Sequence, residues 1–442
     1  MDVGGSSGSC VAMIVDRYPG GLRTLVGVLV SYSDEDCKKV LENCHNALPE
    51  NGKFILCDTV MPEETDDSER TRMLQVFELL PMTFHAAKCK SRTESEYRKL
   101  CEAAGFTSFR ALYNFDHFAA LKECQKVERG REMDDDKEAR LTIMYLANLI
   151  SVPMALHAAL KLNLPDLVWQ EGTNLPISAK QLAGLVQTKL GLPTQPDTVN
   201  LQRILRVLAS HGVFEEVPEN GNQAAKAFRL TNVGQTLVTD CQGLSLGAYV
   251  MRNCLDPLVQ AWTRLHESVL DPSQEAFKKV HGLPVYEYYI KDPACNSLMQ
   301  RAMSGLSVPF MKALLESYDG FGSDGLKTIV DVGGGTGSCM AMIGVLVSFS
   351  DEECQKMLEN CHKALPEKGK VIACEGVVPE NTDNSERTRT LLVVDIYLMA
   401  IHAAKCKNRT ESEYRKLGEA AGFTNFRALY LDHFYTLMEF QK

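Results

Sequence analysis

Two stretches of this 442-residue chain are copies of one another, and this repeat limits what the chain can fold into. The motif DVGGSSGSC at residues 2–10 returns as DVGGGTGSC at residues 331–339. Between Cys37 and Tyr113, 54 of 77 positions are identical to those between Cys354 and Tyr430. Two copies around a long unique segment are not a solenoid, which needs about three repeats. The pattern indicates a partial duplication, so the chain holds fewer distinct domains than its length allows.

The charge balance argues against a nucleic-acid partner. Lys and Arg number 47 and Asp and Glu number 57, which leaves a formal net charge of −10. Surfaces that follow a phosphate backbone need clustered positive charge. We therefore expect no nucleic acid among the partners.

The cysteines and the first residues favour a cytoplasmic protein. None of the 15 cysteines lies in a C-x-x-C pair, so no metal site is predicted. Residues 1–6 lack the basic and apolar regions of a secretory signal, and free thiols are the default in a reducing compartment. The most apolar stretch, residues 141–160, is interrupted by Asn148, Pro153 and His157. This favours a buried helix over a membrane span.

The unique central region reads as helices followed by a hairpin, which is the order of a winged helix. Pro153 is expected to end or kink a first helix, and Ser178 is expected to cap a later one. Apolar residues at helical spacing follow at 201–208, and short strands are predicted at 213–217 and 227–231. Only Arg203 and Arg206 would be basic on the recognition helix of such a motif. This again argues against binding DNA.

A glycine-rich turn carries the clearest chemical signal. The apolar run at residues 327–332 is typical of a buried strand and opens onto GGGTG at 333–337. A helix is predicted at 338–343. Strand, glycine turn and helix together bring backbone N–H groups close to a nucleotide-like ligand. The match to G-x-G-x-x-G is incomplete, because Ser338 stands at the last glycine position.

These motifs and their neighbours resemble the plant caffeic-acid-type O-methyltransferases, which use S-adenosylmethionine. The motifs are VDVGGGTG at 330–337, SDEEC at 350–354, NCHKALP at 360–366, RTE at 409–411 and AAGF at 420–423. Within that family the chain is most similar to the nicotinate N-methyltransferases. The segments that carry this similarity are EARL at 138–141, LISVPM at 149–154, LSVPFMK at 306–312 and LDHFY at 431–435.

The resemblance implies an architecture and a chemistry. The fold would be an α/β Rossmann-like methyltransferase domain, truncated and partly duplicated, with an all-α, winged-helix-like dimerisation domain. The implied segments are a partial catalytic copy at 1–126, a linker at 127–137, the dimerisation domain at 138–320 and the truncated catalytic domain at 321–442. The chain would form a homodimer and use S-adenosylmethionine. It would methylate a small aromatic acceptor at a nicotinate nitrogen or a phenolic hydroxyl.

The resemblance also implies site residues. Four residues would contact the cofactor: Asp331, Gly333, Gly335 and Gly337. Three methionines would line the acceptor pocket, although plain core packing is an open reading for each: Met299, Met303 and Met399. Glu375 matches the orienting carboxylate, at the end of a strand predicted at 370–374, and a surface acid is the equally open reading. The family's catalytic histidine is absent, because Val347 stands at its position and Val30 does so in the first copy.

The family pattern breaks after the glycine turn. Only 12 residues, 338–349, separate Gly337 from Ser350, and 24 residues, 9–32, separate Gly8 from Ser33. One βαβ unit takes about 30 residues or more, so neither interval holds one. By resemblance the second and third strands and most of the fourth are missing. We expect impaired cofactor binding, and no cofactor site at residues 4–8. The alternative is a non-catalytic dimerising relative or a mis-assembled gene model.

Overall fold

A computed structural model describes 14 stretches of the chain. They are residues 2–3, 22–26, 29–46, 53–66, 68–84, 90–106, 109, 111–115, 118–121, 132–219, 222–318, 342–403, 405–430 and 434–442. The chain divides into two compact units, Met1–Val238 and Thr239–Lys442. This division runs through the segment predicted as one helical domain, 138–320. The predicted domain boundaries themselves stay predictions.

The first unit begins with the first copy of the repeated domain. Its elements are β1 (Asp2–Val3), β2 (Leu22–Val26), α1 (Asp34–Asn46), β3 (Lys53–Met61), α2 (Glu69–Phe84), β4 (Arg92–Thr93), α3 (Glu94–Ala103), β5 (Ala111–Phe115) and β6 (Phe118–Leu121). The sheet has the order β1-β2-β3-β6-β5, with β4 beside β3. The strands β1, β2 and β3 are parallel, whereas β6 is antiparallel to β3 and β5. Leu41, Leu56 and Tyr97 are among the side chains that form its core.

Helices and a hairpin complete the first unit. They are α4 (Glu132–Asn148), α5 (Ser151–Lys161), α6 (Leu164–Trp169), β7 (Ile177–Ser178), α7 (Ala179–Leu190), α8 (Thr198–Ser210), β8 (Phe214–Glu219), β9 (Asn222–Leu230) and α9 (Asn232–Gln235). Ser178 forms the predicted cap, because its hydroxyl accepts from the Gln181 amide while the Gln181 side chain accepts from the Ser178 amide. Leu205 and Leu208 are fully buried on α8, as their helical spacing predicts.

Helix α4 begins inside the segment predicted as a linker. It starts at Glu132, so residues 132–137 are helical, while the linker boundaries 127–137 stay a prediction. Its first turns carry the acidic run 134–136, and negative charge is favourable near a helix N-terminus. The helical path breaks at Leu149 and Ile150, and Pro153 lies in the first turn of α5, where proline is tolerated.

The apolar stretch across α4 and α5 is not the buried helix that the sequence indicates. Residues Ala139–Lys161 are long and apolar enough to cross a membrane by length and composition alone, yet only 17% of the stretch is buried. Ile143 is 66% exposed, Leu146 is 55% exposed and Ile150 is 59% exposed. This apolar surface is larger than single scattered side chains would produce, which is typical of an interaction face.

The second unit joins six helices to the other copy. The helices are α10 (Gly247–Asn253), α11 (Asp256–Trp262), α12 (Leu265–Leu270), α13 (Ala276–His281), α14 (Val285–Lys291) and α15 (Pro293–Ser317). The copy follows as β10 (Met342–Ile343), α16 (Asp351–Ala364), β11 (Lys370–Val378), α17 (Glu386–Ile401), β12 (Arg409–Thr410), α18 (Glu411–Ala420), β13 (Asn425–Tyr430) and β14 (Tyr435–Gln441). The sheet order is β10-β11-β14-β13, with β12 beside β11. Phe277, Tyr289, Tyr397 and Ile401 share one core cluster, which attaches the helices to the copy.

The segment after the glycine turn differs from its prediction. Met342 and Ile343 pair with Ala373 and Cys374 as a parallel strand, whereas the sequence predicts a helix over 338–343. A helix of six residues lacks enough hydrogen bonds to offset its nucleation, while the edge of β11 offers ladder bonds at once. The first copy carries 12 more residues here, and its strand β2 has five residues where β10 has two.

A buried arginine stabilises each copy in the same way. Arg409 is fully buried and donates to the carbonyl oxygens of Leu346 and Phe349, each at 2.8 Å, and to the Asp351 carboxylate at 2.7 Å. Arg92 makes the equivalent contacts with Leu29, Tyr32 and Asp34 at 2.8–2.9 Å. One guanidinium thus joins the strand β12 to a short turn, which is a 3-10 helix at Leu346–Ser348, and to the start of α16.

Replacing Arg409 by leucine is expected to lower the free energy of unfolding by about 3 kcal/mol, because two buried carbonyl oxygens and a carboxylate lose their donor. Urea unfolding followed by circular dichroism measures the loss. Arg264→Leu is the matched control, since Arg264 forms an exposed ion pair with Glu267 at 2.6 Å. The control should cost at most about 1 kcal/mol. Equal losses in the two variants would contradict the assignment.

Candidate active site

Glu375 lies in the middle of β11 rather than at the end of a strand. The strand runs Lys370–Val378, and the Glu375 side chain is 0% exposed. The reading of Glu375 as a surface acid is therefore wrong. Its Oε1 atom accepts from the backbone amides of Val345 at 3.0 Å and Leu346 at 2.7 Å. Burial raises the pKa of this carboxyl to about 8, and the backbone donors and Arg409 offset only part of that rise.

The first copy holds an acid in the same place. Asp58 is buried, and its carboxylate accepts from the amides of Leu29 and Thr59, each at 3.0 Å. Burial raises the pKa of Asp58 to about 6. The repeated contact shows that this acid holds the backbone of the adjoining turn. The catalytic role of Glu375 stays a prediction.

Val347 occupies the position that matches the family's histidine. It is 7% exposed and packs against Leu398 and Cys406. The second carboxyl oxygen of Glu375, Oε2, is buried and has no hydrogen-bond partner among the described residues. That Val347 replaces the family's histidine stays a prediction.

The residues expected to bind the cofactor lie outside the described residues. These are Asp331, Gly333, Gly335 and Gly337. Glu352 and Glu353 stand near the spacing of a ribose-binding acid, but both lie in the first turn of α16. Glu353 accepts from the Ser350 amide at 2.9 Å as part of a capping box. In the described part of the second copy, Glu352 and Glu353 therefore stand at a helix start and not at a strand end, so these two residues do not complete a nucleotide site.

The predicted acceptor-lining methionines lie on two helices. Met299 and Met303 lie four residues apart on α15, which places them on one helix face, and Met399 lies on α17. Met299 packs against the core cluster that contains Tyr289 and Tyr397. Met303 and Met399 are half-buried. Their contact with an acceptor stays a prediction.

A polar cluster beside these methionines was missed by the sequence reasoning. Arg252 on α10 is 2% exposed, and its guanidinium carbon lies 4.9 Å from the centre of the Tyr397 ring. Its Nε donates to the Tyr289 hydroxyl at 3.2 Å. His402 follows α17 and stands edge-to-face with Tyr397 at 5.7 Å between ring centres. The sequence holds no sign of this cluster, since its members come from three separated helices and match no motif.

Two known protein-family domains match this chain. An O-methyltransferase domain matches residues 20–107, 262–346 and 339–424, and an O-methyltransferase dimerisation domain matches residues 144–240. Together these matches span more than half of the chain. The chain belongs to the O-methyltransferase family. Within this methyltransferase, two of the matched segments overlap at 339–346, which is where the sequence pattern breaks.

Several curated relatives of this methyltransferase come from plants. The soybean (Glycine max) nicotinate N-methyltransferase 1 is 45% identical over 364 residues, which take in 72% of this chain and 100% of the relative. The Arabidopsis thaliana protein of the same name is 42% identical, over 69% of this chain and 97% of its own. A caffeic acid 3-O-methyltransferase of Ammi majus is 33% identical, over 66% of this chain and 92% of its own length.

Solved structures show the fold of this methyltransferase. Human N-acetylserotonin methyltransferase in complex with SAM has a TM-score of 0.55 at 16% identity, over 71% of this chain and 99% of that protein. The SAH-bound form of CalO1, a methyltransferase in calicheamicin biosynthesis, also has a TM-score of 0.55. Its identity is 19%, over 71% of this chain and 100% of that protein. The expected combination of a methyltransferase domain with a helical dimerisation domain is confirmed.

Replacing Glu375 by glutamine should change how stability depends on pH. The folded pKa of about 8 lies above the ordinary value of 4.5, so the folded chain keeps a proton that the unfolded chain releases. The free energy of unfolding therefore falls as pH rises from about 4.5 to 8. Glutamine cannot ionise, so Glu375→Gln should match the parent near pH 5 and exceed it at pH 8 by at least about 1 kcal/mol.

Urea unfolding at pH 5, 6, 7 and 8 measures this difference. Asp58→Asn is the matched control, because the pKa of Asp58 is raised from 3.8 only to about 6. Its advantage over the parent should stop growing above about pH 6. A difference between Glu375→Gln and the parent that does not change with pH would show that Glu375 ionises normally in the folded chain.

Proposed function

We propose that this member of the O-methyltransferase family acts on the ring nitrogen of nicotinate, with S-adenosylmethionine as the methyl donor. Sequence identity supports this acceptor. The plant nicotinate N-methyltransferases are 42–45% identical to this chain, over 69–72% of its length. The caffeic acid 3-O-methyltransferases are 33–34% identical, over 66–70% of its length. The observation that carries the proposal is the buried Val347 at the position of the family's general base.

The acceptor's chemistry explains why valine is compatible with that position. A phenol must lose its proton before it attacks a methyl group, which is why a positioned base helps. A pyridine nitrogen carries a free lone pair near neutral pH and needs no base. The protein's remaining task is to orient the acceptor, which Met299 and the aromatic side chains of α14 and α17 can do by packing.

We further propose that cofactor binding is weak. When bound, S-adenosylmethionine supplies an electrophilic methyl group. Support comes from the interval of only 12 residues between Gly337 and Ser350 and from the two-residue length of β10. Glu352 and Glu353 lie in the first turn of α16 and not at a strand end, so neither is placed to hold a ribose. Cofactor affinity would then rest on the glycine turn and its flanking residues.

Methyl transfer tests this function directly. The full chain is incubated with nicotinate or with caffeate, and with S-adenosylmethionine labelled in its methyl group at micromolar or millimolar concentration. We expect labelled N-methylnicotinate at millimolar cofactor only, and no transfer to caffeate, because no base deprotonates its hydroxyl. Transfer to caffeate at an equal rate would contradict the assignment of the acceptor.

We also propose that the chain forms a homodimer through the exposed apolar face of α4 and α5. Leu146 and Ile150 on this face lie within the segment that matches the dimerisation domain, 144–240. Burying such side chains against a second copy would contribute roughly 1.5–3 kcal/mol each.

Light scattering after size exclusion measures the assembly. The double variant Leu146→Glu/Ile150→Glu should run as a monomer at concentrations where the parent is a dimer. The matched control, Val269→Glu/Leu270→Glu, changes side chains that are 74% and 79% exposed but lie outside the dimerisation match. The control should remain a dimer. A dimer in the first variant would exclude this face from the interface.

A second candidate function is that of a non-catalytic dimerising relative. The observation that favours it is the short interval between the glycine turn and Ser350, beside an intact dimerisation match. On this reading the chain pairs with itself or with complete relatives but transfers no methyl group. The absence of both labelled product and a thermal shift at millimolar S-adenosylmethionine, in a sample that unfolds cooperatively, would favour this candidate over the first.

A further inference from the structure

Arg252 is a buried cation that has no acidic partner in the described part of the chain. Its side chain is 2% exposed, and its recorded polar contacts are neutral oxygens, at 3.2 Å to the Tyr289 hydroxyl and 3.0 Å to the Asn253 amide. Among the described residues, no carboxylate forms an ion pair with it. A buried guanidinium is costly unless an anion or several hydrogen bonds compensate it. Within the described part of the chain, the positive charge of Arg252 is thus left without a compensating negative charge.

Two further polar atoms next to Arg252 lack partners. The Tyr397 hydroxyl and the Nδ1 atom of His402 are both buried, and neither has a hydrogen-bond partner among the described residues. Tyr397 itself is 8% exposed. Burial and the nearby Arg252 charge lower the pKa of His402 to about 3, so this imidazole is neutral at physiological pH. A neutral imidazole with its hydrogen on Nδ1 donates to an anion, as does a phenol.

The cluster adjoins the position where the family's base would act. The Tyr286 phenol lies near the side chain of Ser348, the neighbour of Val347. The Tyr286 ring lies 5.3 Å from the His402 ring, centre to centre. Tyr286 is 49% exposed, so the cluster reaches the surface of the second unit through this residue. A ligand held by Arg252 would therefore lie between aromatic rings and close to residue 347.

We propose that Arg252, Tyr397 and His402 form the binding site for the carboxylate of an aromatic acid, and that this acid is the methyl acceptor. The identification of the acid as the acceptor rests on the proposed function. The guanidinium supplies the charge, and the phenol and imidazole supply two neutral donors. The rings of Tyr286 and Tyr397 provide flat apolar surfaces for the aromatic part of the ligand. Such a site selects its acceptor by the acceptor's negative charge.

Equilibrium binding of nicotinate and nicotinamide to the full chain tests the site. The two ligands share the pyridine ring, but only nicotinate is an anion at pH 7.5. Isothermal titration calorimetry without S-adenosylmethionine should show nicotinate binding at least about tenfold more tightly, since charge-assisted pairs with arginine are much stronger than neutral ones. Equal affinities, or no nicotinate binding at millimolar concentration, would overturn the proposal.

Substitutions test whether the preference for nicotinate over nicotinamide depends on Arg252 and Tyr397. Arg252→Lys and Tyr397→Phe should each weaken nicotinate binding by at least about fivefold and change nicotinamide binding by less than about twofold. The matched controls are Arg264→Lys and Tyr288→Phe. Arg264 lies between α11 and α12 and Tyr288 lies on α14, and neither is one of the three proposed ligands of the carboxylate. Tyr397→Phe removes a single hydroxyl and keeps the ring, so it covers the case in which Arg252→Lys does not fold. Unchanged nicotinate affinity in folded Tyr397→Phe and Arg252→Lys would overturn the assignment.

This measurement is independent of methyl transfer. If nicotinate binds with the expected dependence on Arg252 but no product forms, the anion site stands and the proposed function fails. If labelled N-methylnicotinate forms but the variants bind nicotinate as the parent does, the function stands and the anion site fails.

Discussion

The buried guanidinium of Arg409 is the contact on which the second copy depends. It bonds to two carbonyl oxygens of the turn at Leu346–Phe349 and to the first acid of α16, so one side chain joins β12, the turn and a helix start. These carbonyls are buried and would be costly without a donor. The same set of contacts around Arg92 survives in the first copy, although the strand next to β3 differs in length from β10. The two copies therefore share one set of contacts, which joins a short strand, a turn and a helix start.

Glu375 bonds to the same turn as Arg409, but through the backbone amides and not the carbonyls. Its carboxyl group accepts the amides of Val345 and Leu346, while Arg409 holds the carbonyl of Leu346. The turn that bears Val347 is thus fixed through both its donors and its acceptors. An apolar side chain at this fixed position can neither accept nor donate a proton.

Local patterns in the sequence predicted the elements that are stabilised locally. The cap at Ser178 and the apolar spacing of α8 depend on residues three or four positions apart, and both are confirmed. The helix predicted over 338–343 was wrong at Met342 and Ile343, because the edge of a distant strand decides their conformation. The exposure of Leu146 and the pairing of Arg252 with Tyr289 depend on which surfaces meet in three dimensions. No pattern within a short window carries that information.

The near-identity of the two copies has a consequence for folding. Helices α3 and α18 carry the sequences ESEYRKLCEA and ESEYRKLGEA, and each begins with the same capping box. Each helix therefore meets two almost equivalent docking surfaces while the chain is still unfolded, one near in sequence and one far away. Loop closure favours the nearer surface only weakly, because its entropy cost grows slowly with loop length. Exchange of equivalent elements between the copies, or between two chains, is the kinetic trap that such a duplication creates.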